Sequence, residues 1–198
     1  MWAAAAIKGV GKVLLLQGRL VRLRPLTRDD LPFVARWDAD EEVTRFSGRK
    51  FAEEAPETWF GRYIRSNRTR ALAIETLEDR LIGDLELEEI NWRAGTTELR
   101  ITIGDKDYWS QGYGTDAVRE ALELAFVGLR LRLMYLRVYT SNKRAIRCYE
   151  KCAFSREGVL KAGSRRVGLE DILLMSVDRE AHMAGRGREP GDLSLPVA

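Results

Sequence analysis

The chain has 198 residues, 45% hydrophobic and 32% charged, with 33 basic against 30 acidic side chains and a formal net charge of +3. That is the make-up of one water-soluble globular domain; it excludes a disordered or collagen-like chain and, being nearly balanced in charge, argues against a nucleic-acid binder. A single histidine and two cysteines argue against a disulfide framework, a multi-cysteine zinc site, a histidine-based metal site, and Ser-His and Cys-His catalysis, so proton transfer falls to carboxylates, tyrosine, lysine, cysteine or water.

Lys8 and Lys12 interrupt the apolar N-terminal stretch, so it reads as neither a membrane span nor a secretory leader, and a cytoplasmic location is expected. Residues 1–16 form an extension of open structure, a strand or a short helix; the domain itself is expected over 17–180. Residues 19–24 alternate charge with β-formers up to Pro25, a first strand with one wet face. Thr27 stands where a helix cap belongs, with Asp29 and Asp30 in the first turn and Leu31, Val34, Ala35 and Trp37 at helical spacing. A second short helix is expected from Pro56 to about residue 64, with Trp59, Phe60 and Tyr63 on one side.

Runs at 71–75, 81–90 and 96–103, separated by short polar turns, predict an antiparallel meander. Residues 115–126 carry Ala117, Val118, Ala121, Leu122 and Ala125 as one apolar stripe, the mark of a helix. A strand at 133–139, a helix at 142–151 and a closing strand at 169–177 follow, and the alternation implies a crossover unit with parallel pairing. Residues 181–198, rich in glycine and proline, read as a flexible tail.

Between a strand and a helix lies Trp109-Ser110-Gln111-Gly112-Tyr113-Gly114-Thr115, whose glycines let several amides turn toward one point at the helix start. Such a point attracts phosphate; a plain glycine-rich turn is the other reading of this loop by itself. The later helix opens with Asn142 as its cap and places Ala145, Ile146 and Tyr149 along one face. Lys143, Arg147 and Lys151 recur along another, which alone is a solvated basic stripe.

Taken together, Gln111-Gly112-Tyr113-Gly114-Thr115 and Asn142-x-x-Ala145-x-x-x-Tyr149-x-Lys151-x-x-Phe154 resemble the GNAT superfamily of N-acetyltransferases. More narrowly, the stretch from Tyr108 to Gly114 and Glu157-Gly158-Val159-Leu160 look like its RimJ/RimL branch. The resemblance spans residues 17–178. It implies an α/β, three-layer fold: a mixed, mostly antiparallel sheet with a central parallel, splayed strand pair, flanked by helices. It also implies acetyl-CoA as co-substrate, an amine as acceptor, and no metal.

Carried onto this sequence, the resemblance gives Gln111, Gly112, Tyr113, Gly114 and Thr115 to the CoA pyrophosphate, and the main chain of Ile101, Thr102 and Ile103 to the pantetheine arm. Asn142 would bond that arm beside Ala145, Lys151 would lie near the adenosine 3′-phosphate, and Tyr149 would be the general acid. Trp109 and Ala153 depart from the usual pattern; an alanine in a left-handed helix cap costs on the order of 1 kcal/mol.

An alkyl ammonium must lose a proton before it attacks a thioester, and the departing thiolate must gain one. Tyr149 suits the second task, unless it is only a packed tyrosine. Glu98, sharing a strand face with Arg100, is the candidate for the first, unless it merely pairs with Arg100. Glu86, Glu88 and Glu89 either line an acceptor site or form the polar face of the sheet. Cys148 and Cys152 read as small packing residues, not a redox pair.

The acceptor is left open between a protein N-terminus, a polyamine and an aminoglycoside-like amine. Asn91-Trp92-Arg93 followed by Glu98 is similar to polyamine acetyltransferases, while the positive net charge speaks against a polycation unless acidic groups cluster locally. Specificity is expected from residues 44–66 and 161–168. A non-catalytic CoA sensor is the second class of function, and exposed sheet edges suit a homodimer.

Overall fold

A computed structural model describes residues 15–46, 56–163 and 170–185. Eight strands form one sheet: β1 (Leu16–Gln17), β2 (Val21–Pro25), β3 (Arg70–Thr76), β4 (Leu81–Asn91), β5 (Thr96–Ile103), β6 (Leu133–Tyr139), β7 (Ser155–Leu160) and β8 (Ile172–Asp178). Their spatial order is β1-β2-β3-β4-β5-β6-β8-β7. All neighbours are antiparallel except β5 and β6. The expected α/β, mostly antiparallel sheet with one central parallel pair is therefore the fold.

Helices cover both faces. One face carries α1 (Leu31–Asp38), α2 (Glu41–Thr44) and α3 (Pro56–Arg65); α4 (Tyr113–Glu123) and α5 (Lys143–Glu150) pack on the other. Alternation along the strands sorts the side chains between them. Leu72, Ile74, Leu85, Leu87 and Leu99 join Ala117, Val118 and Ala121 of α4 in the main core, while Ala71 and Ala73 meet Val34 and Trp37 of α1. No helix among the described residues is long and apolar enough to cross a membrane.

Three expectations need correction. The segment Ser155–Leu160, not read as a strand, forms the edge strand β7, with all six residues exposed and a register shift at Glu157. This extra strand reverses the chain, so β8 runs antiparallel to β6 and the parallel pairing is confined to β5 and β6. The stretch read as a flexible tail from residue 181 begins inside α6 (Arg179–Gly185), where His182 packs on Phe126 at 5.5 Å and its Nε2 lies 2.9 Å from a Glu123 carboxylate oxygen. Residues 186–198, like 1–14, lie outside the described residues. Finally, α2 is an unforeseen extra helix, capped by Asp40, which accepts from the N–H groups of Glu42 and Val43 at 3.0 and 3.4 Å.

Candidate active site

The parallel pair is short. Only Thr96, Thr97 and Glu98 of β5 align with Leu133, Met134 and Tyr135 of β6; beyond them β5 continues to Ile103 and β6 to Tyr139 without pairing to each other. The two strands splay, and a cavity of about 510 Å³ opens in the gap. Its walls include Glu98 to Ile103 from β5, Val138 and Tyr139 from β6, the loop ahead of α4, and Asn142, Ala145, Tyr149 and Lys151 of the α5 segment.

The loop is shaped as its glycines predict. Gly112 caps α4 with φ of 96°, a left-handed conformation that suits glycine. The first hydrogen bond of the helix runs from Asp116 N–H to Gly112 O at 2.9 Å, so the amides of the preceding residues have no carbonyl of α4 to bond and point out of its N-terminus. Gly112, Gly114 and Thr115 line the cavity. Gln111 and Tyr113 are not among its walls: the Gln111 amide donates to Asp107 O, and the Tyr113 ring meets Tyr108 edge-on at 4.9 Å.

Strand β5 presents its main chain to the gap. Gly104 N–H bonds Ile82 O on the β4 side at 2.9 Å, and successive residues turn their polar groups to opposite edges. The groups of Leu99, Ile101 and Ile103 therefore face the opening, whereas those of Thr102 face β4. The Ile103 carbonyl is already bound by the Trp109 indole N–H at 2.6 Å, and the Arg144 guanidinium lies 3.8 Å over that indole ring. Trp109 thus has a structural task that its sequence position did not announce, and Arg144 takes the place expected of Lys143 in the basic row beside Arg147 and Lys151.

On α5, the Asn142 side-chain oxygen accepts from Ala145 N–H at 3.1 Å, which is the predicted cap. Tyr149 is 8% exposed, reaches the cavity wall, and packs on Phe154 at 5.7 Å. Burial holds its phenol well above the ordinary range, so it stays a proton donor. Ala153 does adopt the left-handed conformation, φ 65°, and Phe154 N–H turns back to Tyr149 O at 3.1 Å.

Glu98 is 2% exposed, and its partner is not Arg100. Arg137 of β6 grips it with two bonds of 2.9 and 2.6 Å, while Arg100 pairs with Glu88 at 2.9 Å. Beside this wall runs an acidic row on the face covered by α3: Asp84, Glu86 and Glu88 stand opposite Thr102, Arg100 and Glu98. Asp84 and Glu86 are 1% and 2% exposed. Tyr63 of α3 lies in their field; burial first, then Glu86, pushes its phenol upward. Glu89, beyond the row, accepts from the Tyr135 hydroxyl at 3.1 Å. Of the expected specificity segments, 47–55 and 164–168 lie outside the described residues.

The cavity has splayed strands on either side and a helix N-terminus at one end. Residues 20–155 match the family model of the acetyltransferase (GNAT) domain. The chain belongs to the GNAT acetyltransferase family. As a GNAT protein it is an acyl-CoA-dependent N-acetyltransferase with acetyl-CoA as co-substrate. Among curated relatives, a spermidine N(1)-acetyltransferase of Vibrio cholerae is 30% identical over 140 residues, 70% of this chain and 80% of that one. One of Escherichia coli is 33% identical over 146 residues, 71% and 75% of the two chains. Among solved structures, that of a Vibrio cholerae spermidine N-acetyltransferase in complex with CoA and spermine aligns with a TM-score of 0.73 at 27% identity, covering 82% of this chain and 98% of that one. These relatives lend no support to the narrower RimJ/RimL likeness of this GNAT chain.

Proposed function

We propose that this GNAT acetyltransferase acetylates a primary amine of a polyamine. The observation that carries the reading is the acidic row of Asp84, Glu86 and Glu88 alongside Glu98, all but the half-buried Glu88 withdrawn from water, on the sheet face opposite α4 and next to the cavity wall. Overall the chain is positive, yet Asp84, Glu86, Glu88 and Glu98 gather on one sheet face here, with Arg100 and Arg137 among them. A polycation gains where desolvated carboxylates concentrate negative potential. The relatives named for spermidine acetylation agree with this choice.

In this reading the amides at Gly112, Gly114 and Thr115, with Gln111 and Tyr113 holding the loop behind them, take the pyrophosphate at the positive end of α4. Leu99 and Ile101 offer main-chain groups to the pantetheine arm as an added strand does; Ile103 contributes only what Trp109 leaves, and Thr102 its side chain. Asn142 acts through its amide nitrogen, Ala145 gives the arm room, and Lys151 with Arg144 and Arg147 serves the adenosine phosphate end. An acceptor entering from the acidic side meets the thioester carbon between the strands. Its proton leaves by way of Glu98 and water, through the carboxylate lone pairs that Arg137 does not occupy. Tyr149 protonates the leaving sulfur.

Thiol release from acetyl-CoA with an amine panel tests the acceptor. Spermidine or spermine should exceed a monoamine of matched length by about tenfold to a hundredfold in kcat/KM, the worth of one or two charge-assisted contacts. Equal rates for the monoamine, or preference for a peptide N-terminus, would overturn the polyamine reading.

A further inference from the structure

We propose that Cys148 is a reversible thiol-modification site in the wall of the co-substrate cavity, where a mixed disulfide with a low-molecular-weight disulfide excludes CoA. The inference rests on the reading that the loop ending at Thr115 holds the CoA diphosphate. Spacing alone makes Cys148 and Cys152 packing residues; their placement says more. Cys148 is only half-buried and lines the cavity together with Gly112, Gly114 and Thr115. The Thr115 hydroxyl donates to its sulfur at 3.4 Å, and the buried Cys152 thiol, one turn further on, lies 3.6 Å from Thr115 O. Two thiols and a hydroxyl therefore meet at the first turn of α4, where an adduct on the one open to the cavity must overlap the anion expected there.

The chemistry of the sulfur fits its position. Hydrogen bonds from Cys152 and Thr115, with Lys151 and Arg119 nearby, hold the Cys148 thiol below its ordinary value against the opposing effect of burial, while Cys152 is pushed up. Cys148, the thiol open to the cavity, is the nucleophile of the pair. Its thiolate attacks one sulfur of the disulfide; the new S–S bond forms as the old one breaks, and the departing thiolate takes a proton from water. The Cys148 sulfur is oxidised and half of the reagent is reduced to a thiol, so a reducing thiol reverses the step.

The full chain is treated with oxidised glutathione, mapped by peptide mass spectrometry and titrated by calorimetry with acetyl-CoA, which has no free thiol to exchange with the reagent or the adduct. One adduct is expected, on Cys148; saturating acetyl-CoA slows its formation by about tenfold or more through occupancy of the shared site. The adduct abolishes measurable acetyl-CoA binding, and dithiothreitol restores it. Cys148→Ser takes no adduct and binds acetyl-CoA equally before and after treatment; should it not fold, peptide mapping of the unaltered chain decides. An adduct on Cys152 alone, no adduct while the urea-unfolded chain reacts, or labelling indifferent to acetyl-CoA that demonstrably binds would each overturn the proposal. Absence of acetyl-CoA binding to the untreated chain overturns the loop reading, and this inference with it.

Discussion

Arg137 holds Glu98 with two hydrogen bonds, 2.9 and 2.6 Å, from the strand that leaves β5 two residues earlier. The pair bridges the foot of the splay: the last aligned residues are Glu98 and Tyr135, and Arg137 is the next side chain on the same face of β6. The Glu98 side chain is 3% exposed and that of Arg137 46%, so a carboxylate taken out of water is matched by a cation that still reaches solvent.

Glu98→Gln keeps the shape and one acceptor oxygen, and should lower kcat by about a hundredfold or more, as loss of a proton acceptor does. Arg137→Met leaves the carboxylate buried without its partner and should cost about 1–3 kcal/mol in stability. Steady-state kinetics and urea denaturation separate the two effects; an unchanged kcat in Glu98→Gln assigns Glu98 to the strut alone.

Tyr149→Phe retains the ring that packs on Phe154 and removes only the hydroxyl. Turnover is expected to fall by about 10²–10³-fold with CoA affinity unchanged within about twofold. Because burial raises the phenol above its ordinary value, the group stays protonated through that value. Wild-type kcat should therefore show no loss from Tyr149 ionisation below about pH 10, and a pH–rate series to that limit checks it.

Gly112→Ala forces a side chain into the left-handed conformation at φ 96°. The nearest atom to the new Cβ, Leu20 Cδ1, is 3.4 Å away, so crowding is minor and backbone strain decides. A loss of about 1–2 kcal/mol is expected, along with weaker CoA binding by calorimetry as the loop relaxes.

Ala153→Gly runs in the opposite sense. Ala153 sits at φ 65°, and glycine relieves a cost of about 1 kcal/mol there while leaving Phe154 in place. The variant should melt a few degrees higher in calorimetry, with kcat unaltered.

Asp116→Ala tests the joint between α4 and the sheet. The buried carboxylate accepts from Leu20 N–H at 2.7 Å and Val21 N–H at 3.1 Å. Alanine leaves both donors unsatisfied and should destabilise the chain by about 2–3 kcal/mol, read by denaturant unfolding.

Local pattern was sufficient for most of the framework. Runs of strand formers between polar turns located β4, β5 and β6, and the stripe from Ala117 to Ala125 located α4, because that helix buries one face of its own sequence. The strand β7 escaped because it buries nothing: Arg156, Glu157 and Gly158 sit on an exposed, bulged edge, so no hydrophobic period marks them. The tail escaped in part because His182 is held by Phe126 and Glu123, contacts made across 56 and 59 residues of sequence that no local signal records.

The same division holds in the site. Backbone requirements are local, so Gly112, Gly114 and the Asn142 cap were legible as residues, as was the left-handed strain at Ala153. Pairing is not local. Glu98 had two basic strand neighbours within reach by register, and only the divergence of β5 from β6 gave it Arg137 and left Arg100 to Glu88. Trp109 over Ile103 and under Arg144, the burial of Asp84 and Glu86 behind α3, and the meeting of Cys148 with Thr115 likewise depend on which surfaces the packed helices exclude from water. Sequence determined most of the strands, the glycine loop and the tyrosine; desolvation and three-dimensional proximity, which exist only once the chain has closed, decided which charges are paired.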